Sequence, residues 1–193
     1  MNEMRPGSVL TELGLAETLG CSQSTVREAL LRLEGEGLVA RAGRQGTTVT
    51  DLDRETAEEV LMLRRRLELR GARRAARRAG AGDVAALEAV QAAMEAAARR
   101  GDAWGVVERD LELHLGIFRL SGLLALEPIL ARCTLHTHRF KLWAPWHRRP
   151  LEETASRHRP MLAALAAGDG GALSAELARH LDTIVDRDEA AAA

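Results

Sequence analysis

No apolar run in this 193-residue chain approaches the length that a bilayer demands, and no charged-then-apolar leader opens it. The expectation is a cytoplasmic protein with no membrane partner. Cysteine is scarce: Cys21 and Cys133 stand far apart without metal-type spacing, which argues against a disulfide framework and leaves neither as a candidate nucleophile. Lysine occurs once, at Lys141, among 27 basic residues, so the cations are nearly all arginine, which together with abundant alanine reads as compositional bias. An excess of charge of one sign is also missing, since the formal net charge is −1 and says little about partners. No repeat period is evident. What is there is a chain 46% hydrophobic and 28% charged, long enough for a small module joined to a larger one.

Strand character is confined to the first fifty residues. Leu38-Val39-Ala40-Arg41 and Thr47-Thr48-Val49-Thr50 flank a Gly43 to Gly46 turn and predict a hairpin. Ahead of it, Thr11 can cap a short helix to Leu19, Gly20-Cys21 makes a tight turn, and Ser22 can cap a second helix to about Glu34. Val26, Ala29, Leu30 and Leu33 share one face of that second helix. Ser24, Arg27, Glu28, Leu31 and Arg32 lie on the other face or its edges. The order helix, turn, helix, wing is that of a winged helix-turn-helix, with Arg41 and Arg44 of the wing able to reach phosphates or the minor groove. Residues 1–50 contain five arginines and six glutamates, so local clustering of Arg27, Arg32, Arg41 and Arg44 must supply the positive field that DNA requires.

Everything after about Asp53 reads as helix. Apolar residues recur at three-to-four-residue spacing, predicting six helices at roughly 53–79, 83–100, 102–120, 123–143, 150–167 and 169–187. The breaks fall at Gly80-Ala81-Gly82, Gly101, Ser121-Gly122, the Pro145 to Pro150 stretch and Gly168-Asp169-Gly170. Asp110 and His114, four apart, project from one helix face. His158 opens the fifth helix and His180 lies near the end of the sixth, so antiparallel packing of the two could bring both to one level. A carboxylate with three imidazoles suits a divalent metal, zinc first and nickel, iron or manganese as alternatives, with coordination positions left for water or an anion. His136, His138 and His147 stay unassigned. The first two are two apart on a helix, so at most one faces the interior.

The run LGCSQSTVREALLRLEGEGLV followed by RQGTTV closely resembles the winged helix of the GntR family of bacterial transcription regulators. That resemblance implies that Ser22, Ser24, Thr25 and Arg27 face double-stranded operator DNA and that Gly46 sits at the wing tip. Gln23 stands where the family carries an arginine, Thr25 where it carries a proline, and neutral residues around Leu13 replace a further arginine. Lost phosphate contacts should weaken binding and flatten its salt dependence. Only five residues precede Pro6-Gly7, so the family's helix there is expected to be truncated. The segments DLELH, HRPMLAALAAGD and ARHL look like the effector domain of the FadR-type members, called FCD, in its VanR-like six-helix form. By that resemblance Asp110, His114, His158 and His180 are metal ligands. Leu113 and Leu123, which replace a phenylalanine and an asparagine, leave that set intact.

The fold expected is therefore mostly α, a winged helix-turn-helix (1–50), a linker (51–54), an all-helical FCD-type bundle (55–187) and a tail (188–193). The function implied is a homodimeric repressor released from its operator when a small carboxylate-bearing effector binds at the metal. Arg64, matching an arginine of the family's first effector helix, would be a second anchor for the acid, although it lies in a run of arginines most of which must be solvated. A metal-responsive regulator is the alternative. A metal-dependent hydrolase is the rival from another class, disfavoured because only Asp110 is placed as a base and a winged helix has no role in hydrolysis.

Overall fold

A computed structural model of the chain describes residues 4–41, 46–143 and 149–184. Arg44, His147, the Gly43 end of the wing turn and the 188–193 tail lie outside the described residues. The chain separates into two compact units, Met1–Asp53 and Arg54–Ala193.

The first unit contains β1 (Val9–Leu10), α1 (Glu12–Leu19), α2 (Gln23–Gly35), β2 (Val39–Arg41) and β3 (Thr47–Val49). Both helices start on hydroxyl caps: Thr11 Oγ1 accepts from Gly14 N, and Ser22 Oγ accepts from Thr25 N. Gly20, at φ 65°, takes the left-handed conformation that ends α1 and turns the chain towards α2. The sheet is antiparallel in the order β1-β3-β2, with Val9 opposite Thr48 and Val39 opposite Val49. The two-residue β1 is an addition to the expected hairpin, since two residues are too few to show a period of two. Leu10, Ala16, Val26, Leu30, Val39 and Val49 form the core. The buried face of α2 is narrower than expected, because Val26 and Leu30 are buried while Ala29 and Leu33 are exposed. Three short strands cover only a thin strip of the helix.

The second unit is a helical bundle: α3 (Arg54–Arg78), α4 (Ala81–Arg99), α5 (Ala103–Leu120), α6 (Glu127–Trp143), α7 (Leu151–Ser156), α8 (Arg159–Ala166) and α9 (Gly170–Asp182). α3 packs against α5, α6, α8 and α9, and α4 packs against α5, α7 and α8. The core holds Met94, Leu113, Met161, Leu165, Leu173 and Leu177, together with Ala72, Ala75 and Ala76 of α3. Part of the alanine excess therefore has a packing role, letting neighbouring helices approach α3 closely. Gly71 marks one close approach: a Cβ there would lie 2.7 Å from the Phe118 ring.

Two expected helices differ. The 123–143 element begins as a 3₁₀ turn at Leu124–Leu126 before α6 starts at Glu127, with Pro128 in its first turn. The 150–167 element is two helices, α7 and α8, with Arg157 and His158 between them. Pro160 has no N–H to donate to the Ser156 carbonyl, so the hydrogen-bond ladder is interrupted and restarts with proline in the first turn of α8, although Arg157 and His158 keep right-handed helical backbone. Among the described residues no helix is long and apolar enough to cross a membrane.

Candidate metal centre

The break at His158 positions the centre. As N-cap of α8, His158 turns inward from the gap between α7 and α8, while Asp110 and His114 project from the buried face of α5 and His180 from the last turn of α9. The structure brings these four residues together. One ligand atom from each lies within 4.8 Å of those of the others, and all four residues are buried. The imidazole centroids of His114, His158 and His180 are 4.5–5.5 Å apart. His158 Nε2 lies 2.9 Å and His114 Nε2 3.8 Å from the Asp110 carboxylate.

Hydrogen bonds behind the rings settle which nitrogen faces inward. His114 Nδ1 is 2.6 Å from Glu68 Oε2, and His158 Nδ1 is 3.1 Å from the Ala155 carbonyl. A carboxylate and a carbonyl can only accept, so each Nδ1 carries the proton and, in the neutral ring, each Nε2 presents a lone pair. His114 Nε2 and His180 Nδ1 are buried without a hydrogen-bond partner, and His158 Nε2 makes no hydrogen bond either, although the Asp110 carboxylate lies 2.9 Å from it. Buried polar atoms without partners are rare, and three of them converging on one carboxylate are the donor set of a metal site. The residues fit a divalent ion.

The electrostatics favour an ionised Asp110 and a neutral His180. Burial alone would raise Asp110, but the imidazoles of His138, His158 and His114 outweigh it and hold the carboxyl well below its ordinary range. Burial, reinforced by His158 and His114, pushes His180 well below the usual imidazole value, so it stays neutral.

Around this set lie residues the sequence reading did not assign. Glu68 of α3 bridges His114 and Arg64, whose Nε donates to Glu68 Oε1 at 2.6 Å. Burial opposes its ionisation, yet His114 and Arg64 together lower Glu68 to about 2. Arg64 is fully buried and donates through Nη1 to Thr137 Oγ1 at 2.9 Å, while its Nη2 has no partner. His138 is the histidine of the His136/His138 pair that meets the site: its Nε2 donates to Asp110 Oδ2 at 2.7 Å. Beside the centre a cavity of about 180 Å³ is walled by α5, α6, α7 and the segment leading into α7, with Asp110, His138, Lys141 and Arg149 as its ionisable residues and Thr154 as a neutral polar one. Arg64 is not among its walls.

In the first unit Ser22, Gln23, Ser24, Thr25, Arg27 and Arg32 are all exposed on α2 and its cap. Ser22 Oγ is 2.7 Å from Ser24 Oγ and 2.8 Å from Thr25 Oγ1, so the three hydroxyls form one exposed cluster. Gly46 leads directly into β3. The arginines are less available than their exposure indicates. Arg27 grips the Glu12 carboxylate through Nε at 3.0 Å and Nη2 at 2.7 Å, and the bond holds Glu12 below its ordinary range. Arg41 lies 3.7 Å from both Glu12 and Glu34. Arg27 and Arg41 are thus internally compensated, and Glu12 meets both of them.

Comparison with known proteins gives two family matches. Residues 1–49 match the family described as bacterial regulatory proteins, gntR family, and residues 59–183 match the FCD domain. The chain is 30% identical over 186 residues to the Nta operon transcriptional regulator of Aminobacter aminovorans, covering 94% of this chain and 87% of that one. It is 27% identical over 206 residues to the HTH-type transcriptional regulator LutR of Bacillus subtilis, covering 95% and 93%. The solved structure of McbR/YncC from Escherichia coli superposes with a TM-score of 0.79 at 27% identity, covering 93% of this chain and 85% of that one.

Proposed function

Since the chain belongs to the GntR family of bacterial transcription regulators and carries an FCD domain, we propose that it is a repressor whose hold on operator DNA is released by a small organic acid bound at a metal in the helical unit. The observation that carries the reading is the set of three buried imidazole nitrogens, none of them hydrogen-bonded, that converge on Asp110. Asp110, His114, His158 and His180 hold the ion. Three nitrogens and one carboxylate favour zinc, with nickel, iron or manganese as alternatives, and leave coordination positions free. The bound cation supplies a concentrated positive charge in an apolar surround, where little water screens its pull on a carboxylate.

The chain's own residues prepare that site. Glu68 and the Ala155 carbonyl fix the tautomers of His114 and His158, and His138 holds Asp110 in place. Arg64 lies outside the cavity walls, but its Nη2 is unpartnered beside the Glu68–His114 pair, and it is a further anchor for the acid group that reaches the metal. The exposed face of α2 enters the major groove, with Ser22, Gln23, Ser24, Thr25, Arg27 and Arg32 at the DNA and the Arg44–Gly46 wing beside it. One recognition helix per chain implies a homodimer on a two-fold operator, within the cytoplasm. The acid switches the protein by binding better to the arrangement that does not fit the operator.

Fluorescence anisotropy with DNA from upstream of the protein's own gene tests this. The metal-loaded protein should bind, an organic acid should release it, and chelator-stripped protein should bind while ignoring the acid. Release on metal removal alone would make the ion itself the signal and overturn the acid-gated reading.

A further inference from the structure

The cavity beside the metal centre has two chemically different ends. Three elements agree on its direction. Along α5 the wall runs from Asp110 back through Val106 to Ala103, while along α6 it runs forward from His138 to Lys141 and Leu142. α7 leads from Arg149 and Leu151 towards Ala155, whose carbonyl holds His158. The metal end is therefore Asp110 and His138, and the far end is Lys141 and Arg149, about one helical turn or ~5 Å further along α6. Apart from Thr154, the other lining residues are apolar.

The far end carries positive charge with little to balance it. Lys141 Nζ has no hydrogen-bond or ion-pair partner among the described residues. Arg149 is mostly buried and pairs with Glu153, which is itself 58% exposed. Burial disfavours the Lys141 cation, Asp110 opposes that effect, and Arg149, Arg157 and Arg64 add to it. Partly buried cations left uncompensated in this way are unfavourable until an anion meets them.

Building on the acid-gated reading above, we infer that Lys141 and Arg149 form a second acid-binding subsite, so the effector carries two acidic groups separated by a short apolar spacer. One acid group reaches the metal end and the other meets Lys141 and Arg149, with Val106, Leu142 and Leu151 against the spacer. A monoacid fills only one end and leaves the far cations as they are.

The test is titration calorimetry on the full-length, zinc-loaded chain with succinate, glutarate and adipate against butyrate, pentanoate and hexanoate. The wild type should bind its best diacid at least tenfold more tightly than the monoacid of equal length. Lys141→Met should bring that ratio below about threefold with monoacid affinity and zinc content unchanged, and Lys141→Arg should retain the preference. Arg149→Gln, read in the same way, should also lower the ratio. Equal binding of mono- and diacids by the wild type, or an equal loss of both in Lys141→Met, would overturn the subsite. Binding of neither series would overturn the acid-gated reading itself.

Discussion

The two units of this chain keep their functional groups in opposite places. In the winged helix every described residue assigned to DNA on α2 is exposed, the ion pairs are at the surface, and the core is a separate set of six apolar residues. In the bundle the residues proposed for the metal centre lie in the interior: Asp110, His114, His158, His180, Glu68 and Arg64 are all buried, and contacts among them link the set. Function and stability are thus separable in the first unit and inseparable in the second. Exposed charge pairs contribute little to folding, whereas breaking one partner of a buried set strands the rest.

Substitution at the centre of the buried set should break this contrast most visibly. Asp110→Ala leaves His138 Nε2 without its acceptor and removes the carboxylate on which the three imidazoles converge. Unfolding should become easier by about 3–5 kcal/mol, and bound metal should vanish. Thermal denaturation followed with metal analysis reads both, and retention of either at wild-type level would contradict the account. Glu68→Gln, one bond further out, should retain the fold but lower metal affinity about 10- to 100-fold, as loss of the group behind a ligating imidazole does. Competition with a chromophoric chelator measures it.

The winged helix should answer in the other currency, affinity without stability. Arg27→Ala should weaken operator binding roughly tenfold or more, as loss of a bidentate base contact does, with an unchanged melting temperature. Glu12→Gln sharpens the point, because it frees Arg27 and Arg41 and should tighten binding several-fold with a steeper salt dependence. Gln23→Arg should steepen that slope in the same direction. The smallest effect expected is a pH dependence in the bundle. Burial lowers Lys141 to about 8, with Arg149, Arg157 and Arg64 adding to the shift and Asp110 opposing it. Lys141 is charged below that value and neutral above it, so diacid affinity should fall as pH rises through about 8. The fall should be absent in Lys141→Arg, a comparison that calorimetry across pH 7–9 makes directly.

The same contrast governs what could be read from the chain alone. Surface function follows local signals: the caps at Thr11 and Ser22 and the turn at Gly20 place the recognition helix without long-range information. Asp110 and His114 were visible in the same way, being four apart on one helix, while His158 and His180 required resemblance to a known domain to join them. Glu68 escaped notice because its partner His114 lies 46 residues away. A signal existed, since Arg64 and Glu68 sit in the apolar stripe Leu61, Ala72, Ala75 and two charges there demand partners. Glu12 was hidden likewise, because it reaches Arg27 across the helix-turn-helix, although the excess of glutamate over arginine in residues 1–50 pointed to compensation. The split between α7 and α8 was written in Pro160.

The central claim is that the four buried side chains hold one metal ion, and equilibrium dialysis of the full chain against zinc, followed by elemental analysis, tests it most directly. The account predicts about one ion per wild-type chain and almost none in His158→Ala at the same free zinc. Folded wild-type protein that retains no zinc, nickel, iron or manganese, or a His158→Ala variant that binds as much as the wild type, would contradict it.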